Sequence, residues 1–141
     1  MDTSIVSIGL ANPGPPILQN TIAGFMKKAH GLEKDEARKL DFLYKKSGIR
    51  TRHSVLEDFD KTENENFKFF PESEDLEPFP GTKARMQVFR DTAPELCENA
   101  VKNCLEKVKS QADNITHLVL VSCTGMIAPG VELDMMCRLG L

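Results

Sequence analysis

The stretch His117–Leu141, HLVLVSCTGMIAPGVELDMMCRLGL, decides the fold. It opens with a short apolar run rich in β-branched residues, His117–Val121, which is typical of a strand buried on both faces of a parallel sheet. Small polar residues follow at Ser122–Gly125, where the carboxyl end of such a strand projects side chains into a ligand crevice. The apolar residues of Val131–Leu139 then recur at helical spacing, and Gly140 ends the pattern. The stretch therefore predicts a strand, a candidate site and a helix, in that order.

The rest of the chain predicts further strands and helices around one long loop. Proline and glycine residues separate these elements, because proline lacks a backbone donor and glycine readily ends a helix. In chain order, the predicted elements are a strand Ile5–Leu10, a helix Leu18–Ala29, a helix Leu32–Lys46, a strand Ile49–Val55, a loop over residues 56–81, a helix Ala84–Ala112 that contains Pro94, and a strand Ile115–Ser122.

The loop over residues 56–81 is acidic and contains five phenylalanines and three prolines without a sustained period. Within Glu57–Gly81, nine acids against two lysines give a net charge of −7, so the remaining residues together carry +4. We predict a surface loop whose aromatic side chains fix it to a neighbouring element. The positive excess outside the loop favours an anionic ligand.

Composition excludes several classes of protein. The chain has 18 basic and 21 acidic residues, which gives no reason to expect nucleic acid as a partner. No apolar run approaches the roughly 18 residues that a membrane span needs. The four cysteines show neither a CxxC pair nor the spacing of metal ligands. We therefore predict a soluble, cytoplasmic protein with reduced thiols, without membrane association and without a metal site.

Three segments of the sequence resemble one enzyme family. They are ITHLVLVSCTG with the later PG and LGL over residues 115–141, SIGLANP over residues 7–13, and LYKKSGIRTRHSVL over residues 43–56. Together they resemble the type III polyketide synthases, the chalcone and stilbene synthases of the thiolase superfamily. The resemblance implies an α/β fold, in which residues 1–141 form the N-terminal part of a thiolase-like domain. In that fold, helices cover the faces of a mixed, mainly parallel sheet.

The resemblance assigns a binding role to two lysines. Lys39 and Lys46 match basic residues that hold the phosphates of coenzyme A at the entrance of the family's tunnel. A third basic position of the family falls on Phe42. From the residues alone, two lysines on one helix face are most often solvated, so their binding role rests on the resemblance.

The resemblance also places three residues at the cavity. Cys123 and Thr124 match positions that line the cavity beside the family's reactive cysteine. Ala128 stands where many family members carry a methionine that reaches across the dimer interface. From the residues alone, a lone cysteine is most often a small buried hydrophobe. We therefore interpret Cys123 as a wall residue and not as the nucleophile.

The activity that the resemblance implies is acyl transfer. A homodimer would join an acyl-CoA starter to units derived from malonyl-CoA, with these thioesters as substrates and no cofactor. The family's Cys, His and Asn triad is expected downstream of Leu141, so we expect no catalytic residue within the chain and no activity from the chain alone.

We further expect association with a second chain through Ile115–Leu141, because the strand there lacks a neighbour on at least one edge. The residues expected to be buried in that contact are Val119, Val121, Met135, Met136 and Leu139.

Two alternatives remain at this point. One is a fragment of a ketoacyl-ACP synthase III, which shares the strand and the LGL ending but generally lacks the Pro129-Gly130 pair. The other is a non-catalytic α/β module that serves binding or dimerisation. A Gly-flanked cysteine in the gene shortly after Leu141 would contradict the module.

Overall fold

The computed structural model describes residues 3–61 and 67–141 and divides the chain into two compact units. One unit is Pro13–Gly81, and the other combines Met1–Asn12 with Thr82–Leu141. The elements are strand β1 (Ile17–Leu18), helix α1 (Gln19–Ala29), helix α2 (Lys34–Lys46), strand β2 (Thr51–Arg52), a 3₁₀ turn (Glu57–Asp60), helix α3 (Thr82–Val108), a second 3₁₀ turn (Ala112–Asn114) and helix α4 (Val131–Leu139).

In the unit Pro13–Gly81, the two predicted helices are present as α1 and α2, and they pack against each other. Gly31 follows α1 with a φ of 54°, and Gly48 follows α2 with a φ of 72°. Glycine adopts such left-handed angles without strain, which explains why both helices end there. The predicted strand Ile49–Val55 is reduced to β2, which pairs antiparallel with β1.

The core of this unit is aromatic. The ring of Phe25 on α1 lies 4.8 Å from that of Phe59, 5.9 Å from that of Phe67 and 5.1 Å from that of Phe70, measured between centroids. Leu76 is fully buried in the same cluster. The prediction that the loop's phenylalanines fix it to a neighbouring element is therefore confirmed, with α1 as that element. Residues 62–66 of the loop lie outside the described residues.

A buried carboxylate closes the loop. The side chain of Asp58 accepts hydrogen bonds from the backbone N–H groups of Lys68 at 2.9 Å, Phe69 at 2.8 Å and Phe70 at 2.9 Å. Burial raises the pKa of the Asp58 carboxyl, but the three donors outweigh burial, and the pKa lies below its ordinary value. The ionised carboxylate therefore ties the 3₁₀ turn to the start of the aromatic segment.

In the second unit, the N-terminal segment lies along α3. The Ser7 hydroxyl donates to the Cys104 carbonyl at 2.9 Å, and the amide of Asn103 donates to the Leu10 carbonyl at 3.1 Å. A Cβ atom at Gly9 would lie 2.0 Å from the carbonyl oxygen of Ala100. Only glycine therefore permits this close approach.

Helix α4 packs on α3 and has the predicted bounds. Val131 and Met135 are buried, and Gly140 ends the helix with a φ of 72°. Met135, at 1% exposure, is buried within its own unit, so the expectation that it contacts a second chain is wrong. Met136 remains exposed, as that expectation requires.

The predicted strands Ile5–Leu10 and Ile115–Ser122 are not formed as paired strands. A strand needs a hydrogen-bonded neighbour, and the only sheet among the described residues is the two-stranded β1–β2 ribbon. Val119 and Val121 are consequently 83% and 87% exposed, where burial was expected. Both segments have the β-branched content of strands. The pattern of one segment does not show whether a neighbouring strand is present to pair with it.

Candidate functional site

The first candidate surface is the face of α2 that carries Lys39 and Lys46. These residues are seven positions apart, which places them on one side of the helix and about 10 Å apart along its axis. Both are exposed, and neither forms an ion pair within the part of the chain that the structure describes. We call this surface, with Phe42 and Leu43 between the lysines, the basic face of α2.

The acids of α2 leave the two lysines uncompensated. Asp41 pairs with Lys27 of α1 at 2.8 Å, and Asp35 pairs with Arg38 at 3.7 Å. These pairs neutralise two of the helix's three carboxylates. The basic face of α2 therefore keeps two cations that are available to an anionic ligand.

The surface between the lysines is apolar. Phe42 is 59% exposed and Leu43 is 62% exposed, and no residue of α2 is buried. The Lys46 ammonium lies 5.8 Å from the centroid of the Phe42 ring, within range of a cation–π contact. The face thus combines two cations with an exposed aromatic ring.

The second candidate surface is the loop of residues 122–130, which carries Cys123 and Thr124. The backbone N–H of Gly125 donates to the Ser122 hydroxyl at 3.0 Å, which closes a tight turn. Cys123 and Thr124 lie between these two residues and are exposed. Gly125 lies against Phe89 of α3, where an added Cβ would be 2.2 Å from the ring. The absence of a side chain at Gly125 thus lets the loop lie directly on α3.

Ala128 lies in the same loop. It is exposed and is joined to Pro129 by a cis peptide bond. Met126, two positions earlier, is 84% exposed, and its backbone N–H lies 3.5 Å from the sulfur of Met86. The loop therefore offers an exposed methionine, but not at the position where the resemblance places one.

An ion-pair bridge fixes the helix that follows the loop. Glu98 of α3 pairs with Arg138 of α4 at 3.0 Å and also with Lys102 one turn further along α3. Hydrogen bonds from Lys102 and then from Arg138 lower the pKa of the Glu98 carboxyl. The bridge joins α4 to α3 at the end opposite the loop.

Cys123 has no activating partner among the described residues. His53 contacts the Gly14 carbonyl at 3.2 Å, and His117 contacts the Thr116 hydroxyl at 3.0 Å. Neither histidine forms a hydrogen bond with the thiol. A cysteine nucleophile needs a neighbouring base or a cation. The interpretation of Cys123 as a wall residue stays a prediction.

Among the described residues, no three side chains of His, Cys, Asp or Glu converge as metal ligands would. Nor is any described helix both long and apolar enough to cross a bilayer.

Comparison with known proteins decides the family. The N-terminal domain of chalcone and stilbene synthases matches residues 2–141. The chain belongs to this family. The predicted N-terminal portion of a type III polyketide synthase is thereby confirmed, and the two alternatives are set aside.

Individual polyketide synthases are similar to the chain over nearly its whole length. The protein named "Probable polyketide synthase 1" of Dictyostelium discoideum is 29% identical over 137 residues, which are 97% of this chain and 4% of that protein. Type III polyketide synthase A of Arabidopsis thaliana is 27% identical over 139 residues, which are 98% of this chain and 33% of that protein. The chain therefore spans a third or less of these relatives.

A solved structure shows the fold. The crystal structure of PKS-I from the brown alga Ectocarpus siliculosus superposes with a TM-score of 0.79 at 23% identity, over 99% of this chain and 38% of that one. The predicted α/β, thiolase-like fold class is confirmed, although the described residues contribute mainly its helices.

The two candidate surfaces belong to different units, since Lys39 and Lys46 lie in Pro13–Gly81 and the loop of residues 122–130 lies in the other. The sequence predicted both surfaces, and their binding roles stay predictions. It did not predict the ion pair of Glu98 with Arg138. The i,i+4 spacing of Glu98 and Lys102 predicts their ion pair on one helix. Arg138 lies forty residues further along the chain than Glu98, so no local sequence pattern predicts that pair.

Proposed function

We propose that the protein acts in a type III polyketide synthase, which condenses an acyl-CoA starter with units derived from malonyl-CoA. The observation that carries this proposal is the basic face of α2, whose two exposed lysines form no ion pair with a carboxylate of the described residues. Coenzyme A presents a 3′-phosphate and a diphosphate, and two cations about 10 Å apart along a helix suit such a ligand. Family membership supports the same assignment.

Within this function, the two surfaces have different roles. Lys39 and Lys46 hold the phosphate end of the thioester substrate at the entrance. Cys123 and Thr124 line the cavity where the acyl group is received, and Ala128 leaves room beside them. The nucleophilic cysteine, with its histidine and asparagine, is assigned to positions other than those of this chain, so Cys123 takes no covalent part.

The protein's partners and location follow from the same proposal. The substrates are acyl-CoA and malonyl-CoA, and no further cofactor takes part. The synthase is a cytoplasmic homodimer, in which the loop of residues 122–130 lies near the contact between subunits.

Replacing Lys39 and Lys46 together by alanine tests the proposal. Each exposed charge-assisted contact contributes on the order of 1 kcal/mol or less, so the double variant should bind coenzyme A several-fold more weakly. The loss should shrink at high salt, because salt screens exposed charges. Titration calorimetry at two ionic strengths measures both quantities.

A matched control removes the same charge from other faces of the same helix. Lys34 and Lys45 are also exposed on α2, but their helical positions lie away from the basic face. Their double alanine variant should keep the affinity for coenzyme A. Equal losses in the two double variants would reduce the effect to net charge and would contradict the assigned site.

A further inference from the structure

Phe42 is an aromatic side chain that the packing of the protein does not explain. Three phenylalanines of its unit, Phe59, Phe67 and Phe70, surround Phe25 in the core. Phe42 is instead 59% exposed, more than Phe79 at 42%, and lies on a helix without a buried residue. Exposing a ring of this size leaves much of its potential hydrophobic stabilisation unused. A role at the surface accounts for such a ring better than a role in stability.

The neighbours of Phe42 indicate the chemistry of that role. Lys39 lies three residues before it and Lys46 four residues after it, so all three share one face of α2. The Lys46 ammonium already lies beside the ring, at 5.8 Å from its centroid. A ligand that combines phosphates with a flat heteroaromatic base would meet both kinds of group at once.

We propose that Phe42 is a stacking platform for the adenine base of coenzyme A, while Lys39 and Lys46 bind its phosphates. This inference rests on the proposed function and specifies that the basic face of α2 binds the adenosine end of the substrate. A base stacked on Phe42 carries its ribose phosphate towards the adjacent ammonium of Lys46, and the diphosphate extends towards Lys39. At position 42, where the family has a third basic residue, the protein therefore contacts the base and not a phosphate.

The surrounding charges favour this occupant over an acidic peptide. Leu43, beside Phe42, extends the apolar strip by a single aliphatic side chain. Two cations and one open ring match the phosphates and the base of a single nucleotide. A peptide would need a longer groove than one helix face without buried residues provides.

Phe42→Ala separates stacking from charge. Stacking of a base on an aromatic side chain is lost on truncation, and the low end of its range predicts about fivefold weaker binding of coenzyme A. The loss should be the same at low and high salt, in contrast to that of the lysine variant. Binding of 4′-phosphopantetheine, which lacks the adenosine, should not change. Phe42→Leu should behave like Phe42→Ala, because leucine keeps the apolar area but not the ring.

Phe42→Trp supplies a direct readout, since the natural chain contains no tryptophan. The indole keeps the stacking surface, so the affinity for coenzyme A should be retained and a stacked adenine should quench the fluorescence. Phosphopantetheine should not quench it. Phe79→Trp, at a half-exposed position of the loop, is the control and should not respond to either ligand.

The outcomes distinguish the inference from the proposed function. If the lysine variant loses salt-dependent affinity while Phe42→Ala binds as tightly as the wild type, the stacking role is wrong and the entrance role stands. If Phe42→Ala weakens coenzyme A and phosphopantetheine equally, Phe42 contacts another part of the ligand and the inference fails. If neither variant changes the affinity, both assignments fail together.

Discussion

Asp58 shows how one side chain determines the shape of a loop. Its carboxylate is fully buried and accepts three consecutive backbone donors, from Lys68, Phe69 and Phe70. A buried carboxylate is tolerated only when hydrogen bonds replace its hydration. The loop keeps its place against α1 because these donors and this acceptor satisfy one another.

The lowered pKa of Asp58 fixes how the stability of the protein depends on pH. A carboxyl whose pKa is lower in the folded state stabilises that state above its unfolded pKa, which is about 3.9 for aspartate. This contribution is lost as the pH falls from about 4 towards the lowered value of the folded state. We predict that Asp58→Asn lowers the free energy of unfolding by about 1–3 kcal/mol at neutral pH.

Urea unfolding at pH 7 and at pH 3 measures this prediction. The difference between the wild type and Asp58→Asn should be smaller at pH 3. Asp60→Asn removes the same charge from an exposed position of the same turn and should leave stability nearly unchanged. An equal effect of both substitutions would assign the result to net charge and not to the hydrogen bonds.

At this scale, sequence reasoning succeeded where the signal was local. The spacing of Lys39 and Lys46 placed both on one face, and the structure agrees. Nothing in the sequence indicates that Asp58 is buried, since an acidic residue in an acidic loop is expected to be exposed to solvent. Its three donors lie ten to twelve residues away and contribute only backbone atoms, which no side-chain pattern reveals.

At the scale of elements, α3 is the helix on which its unit is assembled. The N-terminal segment lies on one part of it, the loop of residues 122–130 lies on Phe89, and α4 joins it through Glu98. Two of these contacts depend on glycine, because Gly9 and Gly125 bring backbone within reach of α3. Their positions are therefore more restricted than exposure alone suggests.

Gly9→Ala tests the contact of the N-terminal segment. The added methyl group would meet the Ala100 carbonyl oxygen at 2.0 Å, and a helical backbone cannot yield as a flexible side chain can. We expect the segment to be displaced and the free energy of unfolding to fall by about 1–3 kcal/mol. Hydrogen exchange at the amides of residues 5–10 should become faster.

Gly81→Ala is the matched control, because a Cβ there meets no described atom within 4 Å. Its unfolding and exchange should match those of the wild type. Unchanged exchange in Gly9→Ala would show that the segment does not lie on α3 in solution.

Helices were predictable from sequence where strands were not. A helix satisfies its own backbone, so the periodicity and the glycine stops located α1, α2 and α4 within about two residues. A strand is completed by another strand, which periodicity along one segment does not identify. The segments Ile5–Leu10 and Ile115–Ser122 illustrate this difference.

At the scale of the whole molecule, the apolar side chains of these two segments remain uncovered. Ile5, Val119 and Val121 are each more than 80% exposed. Unpaired β-prone segments with apolar side chains readily pair with other chains. We predict that the purified 141-residue protein associates as its concentration rises, as measured by sedimentation velocity.

Charged substitutions locate this association. Val119→Lys combined with Val121→Lys should shift sedimentation towards the monomer, because charges on an unpaired edge oppose pairing. Leu43→Lys changes a similarly apolar, exposed residue in the other unit and should not. A wild-type protein that sediments as a monomer at every concentration would refute the prediction.

The carboxylate of Asp58 also determines which positions of its loop are open to change. Lys68 contributes only its backbone N–H to the hydrogen bonds of Asp58, and its side chain extends to the exposed Glu57. Any residue with a free N–H group can replace it there, whereas position 58 requires a carboxylate of the length of aspartate. Substitution of the Lys68 side chain should therefore leave the hydrogen bonds of Asp58, and with them the packing of Phe70 against α1, unchanged.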